Sequence, residues 1–408
     1  MGGRRVSVLL AAAMLLPAAA GSAAPAIRPE CVATGFSPAF AKDRTVFCAT
    51  VDDNGTYVWK STDRGRTWER RGRVREGGEQ HHVSGFVMSP LYERDRRVYL
   101  AVDRLYGSAD DGHTFTVTSD RDIARTRVDA YVDTWPNTTG IAVPGVEPHV
   151  SLLYASYSAF GQAFVIDSIF GERDSHTLRT SLLDFVLPPD FATRRTAVAV
   201  TLRPGITAAW QELQQLGVVT YRCDVDFHCT DPIQDLGVMY VDGVEPIGRP
   251  GEEYLYGHTQ TGAVQVWRTT DSGYAWARWP SVERLLPKGT YSLWMTADPD
   301  RPGRLYLHTA ADEKFGGPRT PRFSLFRSDD DGKTWHVLGR SYVPGTRGVP
   351  RDTLPWHTGG DSVAASTSYV SAQPGGYLYV LGGQRRNGRD VVGLWCSRDA
   401  GHTWRTAC

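Results

Sequence analysis

Three carboxylates in segments rich in glycine, proline and aromatic residues are candidates for acid–base chemistry. Glu147 and Glu245 each stand in the tetrapeptide Gly-Val-Glu-Pro, and Asp361 closes a run that begins Trp356-His357. Two carboxyl groups facing each other across a cleft can hydrolyse a glycosidic bond, one as general acid and the other as nucleophile or base. Carboxylates also accept hydrogen bonds from sugar hydroxyls, so the same residues suit binding without turnover.

Seven further residues are candidates for ligand binding, because aromatic faces pack on pyranose rings and histidines and a cation can hydrogen-bond to ligand oxygens. These residues are His81, His82, Trp135, His149, Trp356, His357 and Arg385. The alternative interpretation is that Glu and His residues at loop ends cap strands or face solvent. For Glu147 and Glu245, the shared Val-Glu-Pro is also consistent with a strand-entry signal, since proline fixes the backbone as it approaches a strand.

Other chemistries lack their sequence signatures. The chain has no G-x-S-x-G nucleophile motif, no H-E-x-x-H zinc motif and no glycine-rich nucleotide signature. Cys223 and Cys229 flank His228, but a zinc site would need a further spaced ligand, so we interpret the two cysteines as a local disulfide. We therefore expect neither a bound metal nor a cofactor.

A repeated motif defines the elements that must position these candidates. The pattern S/T-x-D-x-G-x-T/A-W/F occurs five times, and its aspartates are Asp63, Asp110, Asp271, Asp330 and Asp399. We interpret each copy as a hairpin turn in which the aspartate accepts hydrogen bonds from backbone N–H groups of the turn. The glycine takes a positive φ, and the aromatic residue starts the next strand and packs under the turn.

This motif resembles the Asp-box, or BNR, repeat of sialidases and of many non-enzymatic β-propellers. The resemblance covers most of the chain after residue 26, because each copy lies in a larger unit with the pattern of four strands. It implies an all-β fold, a β-propeller with Asp-box turns and four strands per blade. Degenerate units between Ser108 and Thr269 bring the expected number of blades to seven, with six as the second choice.

The resemblance also implies which face carries function. Asp-box turns share one rim with the turns between first and second strands, and ligand sites usually lie on the opposite face. We therefore expect the five aspartates to be structural and the candidate residues to lie opposite them. His149 is expected to open the first strand of the third blade. The interval 119–149 is expected to be a lid or binding loop, and 206–216 a short packing helix.

A sialidase would additionally need an arginine triad, a tyrosine nucleophile assisted by glutamate, and an aspartic acid/base. The nearest counterpart to the family's Arg-Ile-Pro motif is Ile27-Arg28-Pro29, in which the order is scrambled. The other two arginines have no convincing counterpart, so sialidase activity is disfavoured.

The remaining cysteines are Cys31, Cys48, Cys396 and Cys408, and an even set of six cysteines fits an oxidising compartment. These four allow three pairings, and spacing alone does not choose among them; two possibilities follow from the expected strand order. Cys31 could join Cys408 across the seam where the last blade meets the first, or each blade could close its own pair, Cys31 with Cys48 and Cys396 with Cys408.

The first residues read as an export signal. Arg4 and Arg5 precede a short apolar run, and small residues follow up to Ala26, so residues 1–26 are predicted to be a signal peptide of a bacterial exported protein. No segment is long and apolar enough to predict a membrane span. The formal net charge of zero becomes −2 when Arg4 and Arg5 are removed, which disfavours nucleic acid as a partner.

Together these patterns predict residues 27–408 as one propeller domain, secreted and monomeric. Three functions follow as hypotheses. The first is recognition of a glycan or another envelope or extracellular component, and the second is glycoside hydrolysis by Glu147, Glu245 or Asp361. The third is assembly of a larger protein complex, as some proteins with Asp-box repeats perform.

Overall fold

The computed structural model describes residues 28–408 in part. The residues outside the description are 53, 75–82, 84, 103, 120–127, 134–148, 159–160, 169–170, 178–181, 187–196, 203–217, 224–233, 237–239, 260–262, 287–288, 312–321, 343–369, 387–388 and 407. In the strands between 128 and 235 the description covers the backbone and, of the side chains, Val198.

The described chain is all-β, and its strands form antiparallel sheets in sequence order. The first sheet contains β1 (Ala33–Phe36), β2 (Val46–Asp52), β3 (Gly55–Ser61) and β4 (Glu69–Val74). The second contains β5 (Gly85–Met88), β6 (Val98–Ala101), β7 (Leu105–Ser108) and β8 (Thr116–Ser119). The third contains β9 (Val128–Asp133), β10 (His149–Ser158), β11 (Gly161–Ser168) and β12 (Gly171–Thr177).

Four more sheets follow along the described chain. The fourth contains β13 (Leu182–Val186), β14 (Ala197–Leu202), β15 (Val218–Cys223) and β16 (Gln234–Asp235). The fifth contains β17 (Tyr240–Arg249), β18 (Glu252–His258), β19 (Val264–Thr269) and β20 (Ala277–Arg278). The sixth contains β21 (Thr290–Ala297), β22 (Leu305–Ala311), β23 (Arg322–Ser328) and β24 (His336–Tyr342). The seventh contains β25 (Val370–Gln373), β26 (Tyr377–Arg386) and β27 (Arg389–Ser397), and Arg405 pairs with Cys396 at its outer side.

Strand composition explains the order within a sheet. The second strand of the sixth sheet, β22, is buried along its whole length and reads Leu-Tyr-Leu-His-Thr-Ala-Ala. The fourth strand of the first sheet, β4, reads Glu-Arg-Arg-Gly-Arg-Val and exposes Glu69 and Arg70. Charged residues on an outer strand discourage pairing with other chains, so this composition suits the edge of each sheet.

Neighbouring sheets pack against each other in sequence order. First strands lie beside one another from β1 to β5, from β5 to β9, from β13 to β17, from β17 to β21 and from β21 to β25. Between the first two sheets, Phe47 and Val58 pack with Phe86 and Leu100. The seventh sheet returns to the first, where the Tyr379 ring lies 5.0 Å from Phe36 and 5.7 Å from Phe40. Four-stranded antiparallel sheets packed in such a succession form a β-propeller.

One-turn helices follow the first strand in the first two sheets, where the sequence predicted a turn. They are α1 (Phe40–Asp43) and α2 (Tyr92–Asp95). In each, a serine hydroxyl donates to an aspartate at 2.6 Å, Ser37 to Asp43 and Ser89 to Asp95. A third helix, α3 (Pro280–Glu283), links the fifth and sixth sheets and buries Val282.

The third sheet corrects two expectations. Its first strand is β9, which lies inside the interval 119–149 that was predicted to be a loop. His149 therefore opens the second strand of this sheet rather than the first. The residues of β9 alternate as Val-Asp-Ala-Tyr-Val-Asp, a period of two that was a usable strand signal. The predicted helix at 206–216 lies outside the described residues.

Both described disulfides are local, so the pairing across the seam is wrong. Cys31 bonds to Cys48 within the first sheet, and Cys396 bonds to Cys408 within the seventh. Cys31 precedes β1 while Cys48 lies on the adjacent strand β2, which brings the two Cα atoms to 5.5 Å. The Cys223–Cys229 pair includes residues outside the description. Within the described part of the chain, no helix has the length and apolar character needed to cross a membrane.

Candidate functional site

Most residues predicted to contact a ligand lie outside the described part of the chain. They are Glu147, Asp361, His81, His82, Trp135, Trp356 and His357. For three others, His149, Glu245 and Arg385, the structure gives a place on a strand without a described side chain.

These three residues occupy different kinds of position. His149 pairs with Asp133, at the end of the sheet where β9 leads to β10. Glu245 pairs with Tyr254 near the middle of β17, the first strand of the fifth sheet. Arg385 pairs with Asp390, close to the hairpin between the second and third strands of the seventh sheet. His149 therefore lies at the end of its sheet that is shared with the Asp turns, so the expectation that it lies opposite them is wrong. Arg385 lies near the opposite end, and Glu245 lies between the two ends.

The two Val-Glu-Pro copies are not equivalent. The first precedes β10, a second strand, whereas the second lies within β17, a first strand. The expectation that both mark entry into a first strand is wrong, because β9 already supplies the first strand of the third sheet.

The five repeated turns, here called the Asp turns, show the predicted hydrogen bonds. Asp63 accepts from the backbone N–H groups of Arg66 and Thr67 at 3.0 and 2.9 Å, and from the Thr67 hydroxyl at 2.7 Å. The Ser61 hydroxyl donates to Asp63 at 2.8 Å and accepts from Gly65 N–H at 2.8 Å. Corresponding aspartate bonds hold the turns at Asp110, Asp271, Asp330 and Asp399.

These bonds stabilise the charged form of the aspartates. Partial burial raises the pKa of Asp110 and of Asp399, but hydrogen bonds from Thr114 and Thr403 outweigh it and bring each pKa to about 2. Hydrogen bonds from the Thr334 hydroxyl and backbone lower the pKa of Asp330 to about 2 as well. A carboxylate with these partners is poorly suited to act as a general acid near neutral pH.

Each Asp turn contains two successive residues with positive φ. The glycine has the predicted conformation, as at Gly332 with φ 77°, and the residue before it also has a positive φ, as at Asp331 with φ 63°. The aromatic residue closes the turn where its indole is bonded: Trp68, Trp335 and Trp404 donate to the carbonyl of their own turn glycine at 3.1 Å.

The Asp turns share a rim with the connections between first and second strands, as predicted. The residue before the turn glycine donates its N–H to that connection: Arg64 to Arg44, Asp111 to Arg96, and Asp331 to Gly303. These backbone bonds hold the two kinds of turn side by side.

Ion pairs between an Asp turn and the preceding sheet were not predicted from the sequence. Asp111, in the turn of the second sheet, lies 2.6 Å from Lys60 Nζ of the first sheet. Asp331, in the turn of the sixth sheet, lies 3.0 Å from Arg268 of the fifth. An acidic residue between the motif aspartate and glycine was the available signal. At these two junctions, an acidic residue of the Asp turn therefore forms an ion pair with the preceding sheet.

Two histidines with described side chains lie away from the Asp-turn rim. His258, the last residue of β18, donates from Nε2 to the Thr290 carbonyl at 3.0 Å, which ties the fifth sheet to the start of β21. His308 is fully buried on β22, and desolvation lowers its pKa to about 3, so it stays neutral. Among the described residues, no three His, Cys, Asp or Glu side chains are grouped to hold a metal ion.

No protein-family model matches the chain, and no curated protein sequence matches it. Among solved structures, it is weakly similar to a GH74 xyloglucanase from Xanthomonas campestris, with 16% identity and a TM-score of 0.45. That match covers 92% of this chain and 60% of the xyloglucanase, so the chain spans less than two thirds of that protein.

Two further solved structures show weak similarity at comparable coverage. A putative 6-phosphogluconolactonase from Bacteroides fragilis is 12% identical, covering 87% of this chain and 94% of its own, with a TM-score of 0.44. Sqt1 from Saccharomyces cerevisiae is 11% identical, covering 90% and 86% respectively, with a TM-score of 0.42. At this level of similarity, none of the three assigns a function to the chain.

Proposed function

We propose that the chain is a secreted recognition protein, a seven-bladed β-propeller with Asp-box turns that binds a glycan or another envelope or extracellular component. The observation that carries this proposal is a difference between the two ends of the sheets. At one end, the Asp-turn carboxylates accept hydrogen bonds from their own turns, as at Asp63 and Asp330. The opposite end is therefore where we propose that the glycan or other component binds.

Chain connectivity supports this proposal for several candidates. His81 and His82 fall between β4 and β5, and Trp356 and His357 fall between β24 and β25. Both segments lead from the outer strand of one sheet to the first strand of the next. A fourth strand runs away from its Asp turn, so such segments begin at the end remote from the Asp turns.

Export is part of the proposal. The predicted signal peptide at residues 1–26 would deliver the chain to an oxidising compartment, where the Cys31–Cys48 and Cys396–Cys408 bonds persist. One disulfide lies in each of the two sheets that meet at the seam, and each stabilises its own sheet.

Glycoside hydrolysis is the second candidate function. It is favoured by the place of Glu245 on β17, because first strands lie innermost in a propeller, next to the central channel where a substrate would enter. This function requires a second carboxyl group facing Glu245 across the pocket. Asp361 is the candidate on connectivity, because it falls between β24 and β25, whereas Glu147 falls between β9 and β10, the kind of connection that shares a rim with the Asp turns. Assembly of a protein complex is the third, and a stoichiometric protein partner in the absence of glycan binding would favour it.

A printed glycan array probed with the purified mature chain tests the proposal. We expect retention on a subset of glycans, and loss of that retention in Trp356→Ala and His357→Ala. The matched control is His402→Ala, since His402 is an exposed histidine on an Asp turn. Equal binding by all variants would contradict the assignment of the site, and no retention on any glycan would contradict glycan recognition.

A further inference from the structure

The Asp turn of the first sheet differs from those of the second and sixth sheets in the charge of the residue before its glycine. In the second and sixth sheets, the residue before the turn glycine is an acid, Asp111 or Asp331, and it meets a lysine or arginine of the preceding sheet. In the first sheet this residue is Arg64. The preceding sheet in the ring is the seventh, so the seam places a cation where the other two junctions have a carboxylate.

The seventh sheet offers Arg64 an aromatic ring and a second cation. The Arg64 guanidinium carbon lies 4.7 Å from the centre of the Tyr377 ring, and the Arg398 guanidinium carbon lies 5.6 Å from the same centre. Because both guanidinium carbons lie near the same ring centre, the distance between them is at most the sum of these two distances. Within the described part of the chain, neither makes an ion pair with a carboxylate.

A third guanidinium and a phenol complete the cluster. Arg66 donates to the Cys408 carbonyl at 2.5 Å, at the outer side of the seventh sheet. Tyr379 is 1% exposed, and its hydroxyl has no hydrogen-bond partner among the residues that the structure describes. A buried hydroxyl without a partner is costly and needs an explanation, and a bound ion is one of the explanations.

Electrostatics connect this hydroxyl to the arginines. Burial raises the pKa of Tyr379, the neighbouring Tyr377 adds to the rise, and Arg64, Arg398 and Arg66 act to lower it. The phenol therefore lies in the field of three guanidinium groups. The nearby acids of the two Asp turns, Asp63 and Asp399, are engaged by Thr67 and Thr403 and do not pair with these arginines.

We propose that this seam cluster, defined as Arg64, Arg66, Arg398, Tyr377 and Tyr379, binds an oxyanion such as a sulfate, phosphate or carboxylate group. Guanidinium groups form charge-assisted hydrogen bonds to such oxygens, and the Tyr379 hydroxyl supplies a further donor beneath them. The anion takes the role that Asp111 and Asp331 have at the other two junctions, bridging the seventh sheet to the first. This site lies on the Asp-turn rim, so it is independent of the proposed glycan site.

The test compares binding of three small anions by the full mature chain. Isothermal calorimetry measures the binding of sodium sulfate, sodium phosphate and sodium glucuronate in chloride of matched ionic strength. The three salts represent the sulfate, phosphate and carboxylate groups respectively. We expect saturable binding of at least one, weakened about tenfold in Arg64→Gln, since one charge-assisted bond is lost. Tyr379→Phe is expected to weaken it less, and Arg64→Asp to abolish it.

The control variant is Arg96→Gln. The Arg96 guanidinium lies 5.3 Å from the centre of the Tyr92 ring, so it resembles Arg64 in stacking, but its junction already contains Asp111. Anion binding by Arg96→Gln should equal that of the unmodified chain. Variants are compared only where thermal unfolding in chloride matches the unmodified chain, and Tyr379→Phe should pass because it removes an unpaired group. Absence of saturable binding, or equal binding by Arg64→Gln and Arg96→Gln, would overturn the proposal.

Discussion

Lys60 of the first sheet and Asp111 of the second form an ion pair at 2.6 Å, with the lysine side chain only 7% exposed. Asp111 also accepts from the Tyr92 hydroxyl and lies 3.5 Å from Arg71. Because a buried charge is unfavourable without its partner, this pair makes the junction between two sheets dependent on a specific side chain.

Lys60→Met should therefore destabilise the protein by about 2–3 kcal/mol, at the lower end for a broken buried pair because Arg71 and Tyr92 still contact Asp111. Lys42→Met is the matched control. Lys42 also bridges the first two sheets, to Glu93 at 2.9 Å, but its side chain is 81% exposed, so its loss should leave the free energy of unfolding close to that of the unmodified chain. Denaturant unfolding measures both, and equal costs would contradict the role given to burial.

Acid should weaken the Asp turns within a narrow pH range. The pKa of Asp330 is about 2 in the folded chain against an ordinary value of 3.8, so its contribution to stability is complete above about pH 4 and is lost as the pH falls through 2. Thermal unfolding of Asp330→Asn should show a lower midpoint than the unmodified chain above pH 4, with the gap closing towards pH 2. Asp52→Asn removes an exposed carboxylate outside the Asp turns as a control. A gap that stays constant with pH would contradict this account.

The third Asp turn lacks one hydrogen bond that the other four have. Ala275 occupies the position of Thr67, Thr114, Thr334 and Thr403, whose hydroxyls donate to the turn aspartate at 2.5–2.7 Å. Ala275→Thr should add this bond to Asp271 and stabilise the chain by about 0.5–1 kcal/mol. Ala275→Val has nearly the same shape without the hydroxyl, so it should give no such gain in the unfolding midpoint. A gain shared by both variants would point to side-chain size rather than to the hydrogen bond.

Two turn glycines separate backbone strain from packing. Gly332 and Gly376 have φ values of 77° and 74°, but a Cβ on Gly332 would lie 2.3 Å from the Trp279 ring, whereas one on Gly376 would contact nothing within 4 Å. Gly376→Ala should cost about 1–2 kcal/mol from strain alone. Gly332→Ala should cost about 3 kcal/mol or more, since overpacking against Trp279 adds to the strain. Equal losses of unfolding free energy in the two variants, measured with denaturant, would show that Trp279 moves aside at little cost and would contradict the prediction.

Non-reducing peptide mapping should yield a Cys31–Cys48 peptide and a Cys396–Cys408 peptide. Each bond closes a short loop, with sequence separations of 17 and 12, and loop closure of this size stabilises a fold by about 3 kcal/mol. Reduction should accordingly lower the unfolding midpoint. A peptide joining Cys31 to Cys408 would contradict the local pairing.

The sequence predicted the parts of the fold that depend on local hydrogen bonding. The Asp turns follow from Asp, Gly and Thr at fixed spacing, because those residues bond within their own segment. The strand β9 was missed because its acidic residues resemble a loop, although its alternation was visible. The disulfide pairing was undecided because it depends on the pairing of β1 with β2, which brings Cys31, just before β1, close to Cys48.

Contacts between sheets could not be predicted from local sequence patterns. The pairing of Lys60 with Asp111 joins residues 51 positions apart, and its geometry depends on how two sheets pack. The same holds for the seam cluster, since Arg64 meets Tyr377 only when the seventh sheet returns to the first. The predicted ligand contacts at Glu147 and Asp361 stay predictions, because both residues lie outside the description.

The central claim is recognition of a ligand without turnover, and a glycan array read by mass spectrometry tests it most directly. The mature chain is incubated on the array, bound protein is measured, and each immobilised glycan is then weighed. We predict retention on a subset of glycans whose masses are unchanged. Shortened glycans, formed by the unmodified chain and absent with Glu245→Gln or Asp361→Asn, would contradict the claim and establish a glycosidase.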